Sequence, residues 1–457
     1  MMKKLWQKNW QLDKLTEIFE TKDDLVVDQK LLKFDILGGV AHAKMLNKIG
    51  IISKKELTLI TKGLLDILEL GYNGKFTLQA GDEDIHTKIE NFLTEKYKDA
   101  GKKIHTGRSR NDQVLTAIRL YSKEKLFFIW KDLFTLIESF LAFAQKYEFV
   151  PMPGYTHMQK AMPSSVGMWA GSFVEALLDD LVVLKSVYSL VNKSPLGSAA
   201  GYGVPLNLDR NYTRDLLGFN GLQTNSLYAQ NSRGKLEAAV IAVLNSVLLD
   251  INKFASDILL FTTSEFGFFK VSDNLNSGSS IMPQKKNVDI AELLRSKIHL
   301  TLGYYTQVVS ISSNLPSGYN RDLQDTKKPF IEALDVTQNS LTVASILVNN
   351  LLPDQERLEA ALTADIFATH SALELVSKGV PFREAYKEVG ANISNIKIKN
   401  KKEYLKKSSH IGGTGNLCLD KYEDQLIIEK QNYKNEHRKF NQALQNLTAK
   451  EVKEHED

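Results

Sequence analysis

One cysteine, Cys418, stands in 457 residues, which excludes a disulfide within the chain and any thiolate metal cluster built by one chain alone. Neither sign of charge dominates. With 58 basic and 54 acidic residues the formal charge is +4, and nucleic-acid binding would need that small excess gathered into a stripe. The only basic concentration, Lys397–Lys407, reads as a solvated face. No run approaches the ~20 apolar residues of a membrane span, and the N-terminal lysines lead into no apolar stretch of a secretory signal. A cytoplasmic protein with neither a nucleic-acid nor a membrane partner is expected. Strand signals are sparse, no strand precedes a Gly-rich phosphate loop, and no internal repeat stands out. No HExxH pair or calcium-loop spacing supplies a metal site. At 43% hydrophobic and 25% charged the chain is globular, and its length admits two or three domains.

What the chain does have is helical periodicity. Leu236, Val240, Val243, Val247, Ile251, Phe254 and Ile258 step by three and four, a seam close to the 3.5 repeat of bundled helices. The same habit marks 165–191 (Met168, Phe173, Leu177, Leu181, Leu184), 114–147 (Leu126, Trp130, Leu133, Ile137, Leu141), 288–311 and 326–351. Thirty helical residues span about 45 Å. The sequence therefore predicts an all-α fold around an elongated bundle. Boundaries fall near 105 and 353, giving segments 1–105, 106–353 and 354–457. Spare apolar faces on such helices point to self-association.

Polar residues concentrate between these helices. The run Gly278-Ser279-Ser280-Ile281-Met282-Pro283-Gln284-Lys285-Lys286-Asn287 follows a Gly/Ser/Asn-rich stretch with nothing apolar to bury, so a mobile loop is expected. A helix is predicted to start near Pro283, placing two ammonium groups against a helix N-terminus, an unfavourable arrangement unless an anion binds. Asp82-Glu83-Asp84-Ile85-His86 is on its own an acidic helix start. Thr106-Gly107-Arg108-Ser109-Arg110-Asn111-Asp112-Gln113 offers guanidinium groups that hold carboxylates bidentately, or simply a capped helix. Pro153–Gln159 carries His157, able to move protons near neutrality. The small residues of Ser194–Gly203 suit a flexible loop or close backbone approach to a ligand. Together, a histidine, hydroxyls and cations without a metal set suit proton transfer beside a substrate carboxylate, with the cations stabilising the enolate-like anion.

As strings, these segments resemble the fumarase/aspartase superfamily, whose signature is a Gly-Ser-Ser…Met-Pro…Lys…Asn loop. His105–Gln113, Met152–Gln159, Gln284–Asn287 and Gly379–Ala385 are similar to its argininosuccinate lyase branch, and the likeness runs over nearly the whole chain. The resemblance implies a three-domain homotetramer with a twenty-helix central bundle, in which each active site draws on three subunits. It implies reversible, cofactor-free β-elimination of argininosuccinate to arginine and fumarate. By the same resemblance Ser279 would be the base, and His157, oriented by Glu292, would give a proton to the leaving nitrogen. Lys285 and Asn287 would hold the carboxylate that takes up charge. Ser109, Arg110, Asn111 and Thr156 would bind the fumarate half. His86, Tyr319, Gln324 and Lys327 would meet the rest of the substrate, with Asp82 lining the site. Chemistry alone would choose His157 as base, because a serine hydroxyl is a poor one unless Lys285 and the helix start stabilise its alkoxide.

Four positions depart from the family pattern: Leu5–Trp10, Asp24 in place of a serine, Arg233-Gly234 in place of Arg-Asp, and Val288 in place of a proline at the helix start. Competing readings are a sister elimination of the superfamily, a serine hydrolase using Ser279, His157 and Glu292, and a non-catalytic structural protein. No GxSxG elbow supports the hydrolase.

Overall fold

The computed structural model describes residues 13–79, 82–398, 400–449 and 452; the Leu5–Trp10 departure lies outside them. Its longer helices are α1 (Lys14–Lys48), α2 (Lys54–Tyr72), α3 (Ile85–Tyr97), α4 (Arg110–Lys146), α5 (Val166–Val191), α6 (Lys235–Phe261), α7 (Asp289–Ser312), α8 (Lys327–Asn349) and α9 (Leu419–Thr448). Besides a two-residue parallel pair, Lys193–Ser194 with Gly221–Leu222, the short strands are β1 (Pro151–Thr156), β2 (Gln159–Ser165), β3 (Phe269–Val271), β4 (Ser277–Gly278), β5 (Lys286–Asn287) and β6 (Leu351–Pro353). The five seams read from the sequence are α4 to α8. Their apolar stripes interlock: Phe140 of α4 stacks on Phe173 of α5 at 5.2 Å and meets Phe254 of α6 edge-on at 5.0 Å. Burying each such side chain contributes roughly 1.5–3 kcal/mol. Among the described helices α6 alone is long and apolar enough by composition to cross a membrane, though Glu237, Asp250 and Lys253 interrupt its apolar run. Leu244, Val247, Ile251 and Phe254 of that helix lie in the bundle core.

The five helices run alternately up and down, so the connections collect at two ends. At the Arg110 end, Asp112 Oδ2 accepts from the N–H groups of Gly197 and Ala199 at 2.9 and 3.0 Å, tying the loop after α5 to the start of α4. There too Gly318 N–H donates to Asn231 at 2.8 Å, joining the α7–α8 connection to the approach to α6. At the Lys146 end, the hairpin β1–β2 links α4 to α5. Here β3, after α6, pairs antiparallel with β6, after α8. Lys160 Nζ donates to Ala361 O at 2.7 Å, fastening the hairpin to the chain beyond β6. Residues 362–405 form two small apolar clusters of their own. The chain then returns along the bundle as α9, with Tyr433 edge-on to Trp130 at 5.9 Å. At ~1.5 Å per residue, the 37 residues of α4 separate the two ends by about 55 Å.

Candidate active site

At the Arg110 end a cleft of ≈ 180 Å³ opens between α1, the start of α3, the start of α4 and the entry to α8. It brings together His86, Arg110, Asn111, Tyr319, Gln324 and Lys327. Ser109 stands beside it as the α4 cap, its hydroxyl accepting from Asn111 N–H at 3.3 Å. Asp112 closes the capping box by accepting from Ser109 N–H at 2.9 Å. Arg110 forks onto both oxygens of Glu83, at 2.5 and 3.1 Å, and also donates to Thr87 at 2.8 Å. Asp82, expected to line the site, does not. Its carboxylate accepts from Lys88 at 2.6 Å and Gln79 N–H at 2.8 Å, and the wall is made by the neighbouring Glu83 and Asp84.

Lys327 is buried between two carboxylates, 2.7 Å from Asp24 and 2.6 Å from Asp28. Burial by itself would pull its pKa down, yet Asp28 and Asp24 together lift it. Burial outweighs Lys327 at Asp24, whose pKa is pushed up to about 6. Asp24 therefore places a second acid, beside Asp28, on the lysine expected to meet substrate. Residue 234 also finds its reason here. Gly234 caps α6 at φ 80°, and a Cβ would lie 1.9 Å from Ser312 Oγ, so an L side chain is disfavoured by both backbone and space. Arg233 places its guanidinium 5.5 Å from the Tyr319 ring.

The sequence reading missed Glu20, Asp28 and Arg321, all on the cleft wall. A signal existed: Glu20, Asp24 and Asp28 recur every fourth residue, one face of a helix. Their cationic partners, however, Arg321 for Glu20 and Lys327 for Asp24 and Asp28, lie about 300 positions downstream.

The remaining candidates sit at the Lys146 end. Thr156 pairs with Gln159 across a two-residue hairpin turn made by His157 and Met158, both left-handed at φ 54° and 61°. Such a turn normally uses Asn or Gly, so two ordinary side chains there store backbone strain and hold His157 out in solvent. Ser279 lies in the seven-residue loop between β4 and β5. Its Oγ accepts from the N–H groups of Met282 at 3.1 Å and Ile281 at 3.4 Å. Two converging N–H dipoles are the arrangement that stabilises an oxyanion. The expected helix start near Pro283 is corrected. Ser277 and Gly278 pair with Asn287 and Lys286, and α7 begins at Asp289. Lys285 and Lys286 thus precede the helix, and Val288 is its cap instead of its first residue. Lys286 pairs with Asp273 at 2.7 Å, while Lys285 is exposed and makes no ion pair among the described residues. Glu292 is exposed in the first turn of α7, and no hydrogen bond joins it to His157 among the described residues.

Comparison with known proteins follows the same lines. The chain matches the model of the lyase family over residues 8–303. It is 45% identical to the argininosuccinate lyase of Thermotoga neapolitana over 85% of this chain and 98% of that one. The argininosuccinate lyase of Parabacteroides distasonis is 40% identical over 92% and 93% of the two chains, and that of Sorangium cellulosum 41% over 92% and 97%. Among solved structures, an EDDS lyase in complex with formate shares the fold at a TM-score of 0.82 and 21% identity, covering 97% of this chain and 95% of that one. A class II fumarase from Schistosoma mansoni does so at 0.68 and 18%, covering 85% and 94%. The chain belongs to this lyase family, in its argininosuccinate lyase branch.

Proposed function

We propose that the protein catalyses the reversible β-elimination of argininosuccinate to L-arginine and fumarate. A proton leaves the carbon next to a substrate carboxylate, that carboxylate takes up the charge, and the carbon–nitrogen bond then breaks as the departing nitrogen is protonated. Ser279 is the base, its alkoxide stabilised by the Ile281 and Met282 N–H groups and by Lys285 nearby in the loop. His157 supplies the proton to nitrogen, with Glu292 orienting it in the assembled site. Lys285 and Asn287 hold the carboxylate that becomes the dianion. Arg110, Asn111, Ser109 and Thr156 receive the fumarate half. His86, Tyr319, Gln324 and Lys327 meet the rest of the substrate.

One observation supports the assembly behind this reading: the candidate residues of one chain divide between two ends about 55 Å apart. A complete site then needs the Arg110 end of one copy against the Lys146 ends of others lying antiparallel to it. Exposed apolar residues along the bundle, Val182, Val183, Leu249, Leu300 and Leu302, give a second copy a surface to cover. We therefore propose a homotetramer with shared sites, the three-segment division at 105 and 353, and a cytoplasmic location. Neither a cofactor nor a metal enters the scheme. The direct test is to incubate purified protein with argininosuccinate and follow fumarate absorbance. No fumarate from argininosuccinate, with fumarate from adenylosuccinate or aspartate instead, would replace this reading with a sister elimination.

A further inference from the structure

The permanent cations on the cleft wall face partners already: Arg110 is forked on Glu83, Lys327 lies between Asp24 and Asp28, Arg321 is 3.2 Å from Glu20, and Arg233 faces Tyr319. Among the described residues, the buried cleft-wall nitrogens left without a hydrogen-bond partner include Arg233 Nε and both ring nitrogens of His86. Arg233 is charged at any working pH. His86 is a cation only while both of its nitrogens carry protons. Behind it, Nδ1 lies 3.0 Å from Asp35 Oδ1, each side chain only 4% exposed. Asp35 comes from the middle of α1, and Arg108 supplies it with a second cation.

We propose that Asp35 is a positioning residue: it holds His86 by Nδ1 as an imidazolium and turns the Nε2–H into the cleft as the donor for a substrate carboxylate. The charge on His86 follows from the whole surround. α1 contributes Asp28 and Asp35, and the α3 cap Asp84. The segment entering α4 contributes His105, Arg108 and Arg110, and α8 contributes Lys327. Burial works against the cation, but Asp35, Asp84 and Asp28 outweigh it and raise the histidine above its ordinary value. Arg108 and His86 hold Asp35 ionised against its own burial. His86 carries a proton on each ring nitrogen below its raised pKa and loses the charge as pH rises through it.

The inference rests on the lyase reading but is tested by binding alone. Fumarate and L-arginine are titrated calorimetrically into the assembled protein from about pH 6 to about pH 9. In the wild type, at least one of them should bind roughly tenfold more weakly at the alkaline end. The fumarate arm moving assigns the carboxylate to the dicarboxylate half, and the arginine arm to the amino-acid half. In Asp35→Asn the loss should begin about one pH unit lower or more, and in His86→Gln the affinity should be flat. A purely structural Asp35 would change melting temperature without moving that limb. If Asp35→Asn fails to fold, Arg108→Gln should move the limb to higher pH by removing a nearby cation. A folded Asp35→Asn, or in its place Arg108→Gln, that titrates like wild type for both ligands overturns the proposal, as does a His86→Gln protein that keeps the pH dependence. Absent cleavage of argininosuccinate would count against the lyase reading and leave this binding test standing.

Discussion

The two ends of the bundle are built on opposite terms. At the Arg110 end the polar groups are buried and largely paired within the chain before any ligand arrives: Arg110 on Glu83, Lys327 on Asp24 and Asp28, His86 on Asp35. At the Lys146 end they stand in solvent on a strained hairpin tip and a loop framed by a two-residue strand pair. The first end can hold a charged ligand rigidly. The second carries a serine with two N–H groups on its oxygen and a lysine without an ion pair among the described residues, groups suited to moving a proton. On the proposed reading, recognition and proton transfer are divided within one chain, and the distance between them is the reason a second copy is proposed.

If that division is right, the largest effect should come from the exposed end without cost to the fold. Ser279→Ala is expected to lower turnover by ~10²–10⁴, the usual worth of a positioned acid or base, while melting temperature stays within a degree or so of wild type. A mutant retaining more than a tenth of native turnover would remove Ser279 from the role of base.

The stiff end should respond in the opposite sense, through stability. Gly234→Ala forces an L side chain to φ 80° against Ser312 and should cost roughly 1–3 kcal/mol in urea unfolding. An unchanged midpoint would show that this end is softer than its packing indicates.

A smaller effect is expected at Asp24. Its folded pKa is raised from 3.8 to about 6 by burial. The protonated form therefore favours folding, and that contribution is complete below the unfolded value and lost as pH rises through about 6. Asp24→Asn should flatten the melting temperature between these two values, and an undiminished slope there would assign it to other groups.

The smallest effect belongs to the hairpin tip. Met158→Gly relieves a left-handed residue and should stabilise by about 1 kcal/mol or less, with kcat reduced only as far as His157 loses its fixed direction. Destabilisation would mean that Met158 packs against something the isolated chain does not provide.

Much of this architecture was legible in the sequence for a physical reason. Helices of 23 to 37 residues repeat their apolar stripe often enough that local period alone declares them, so α4 to α8 fall where the seams did. Pro283 misled because proline is favoured at a first helical position. The pairing of Ser277-Gly278 with Lys286-Asn287 instead keeps the chain extended past it, and no local signal announces so short a ladder. Direction was not legible at all: only the antiparallel run of α5 and α6 shows that His157 and Ser279 return to one end. The carboxylates of α1 stayed hidden since an acid every fourth residue usually marks a solvated face. Only the fold shows that Lys327, from a distant helix, meets two of them.

The central claim is that a working site joins the Arg110 end of one copy to the Lys146 ends of others. It is tested most directly by mixing Asn111→Leu, defective at the cleft, with Ser279→Ala, defective at the loop. Each should be nearly inactive alone. Unfolded together in equal amounts and refolded, they should regain roughly a quarter of wild-type activity, the fraction of sites drawing both native residues from independently chosen subunits. No recovery, in material shown to contain mixed assemblies, would mean that one chain supplies both residues and would contradict the account.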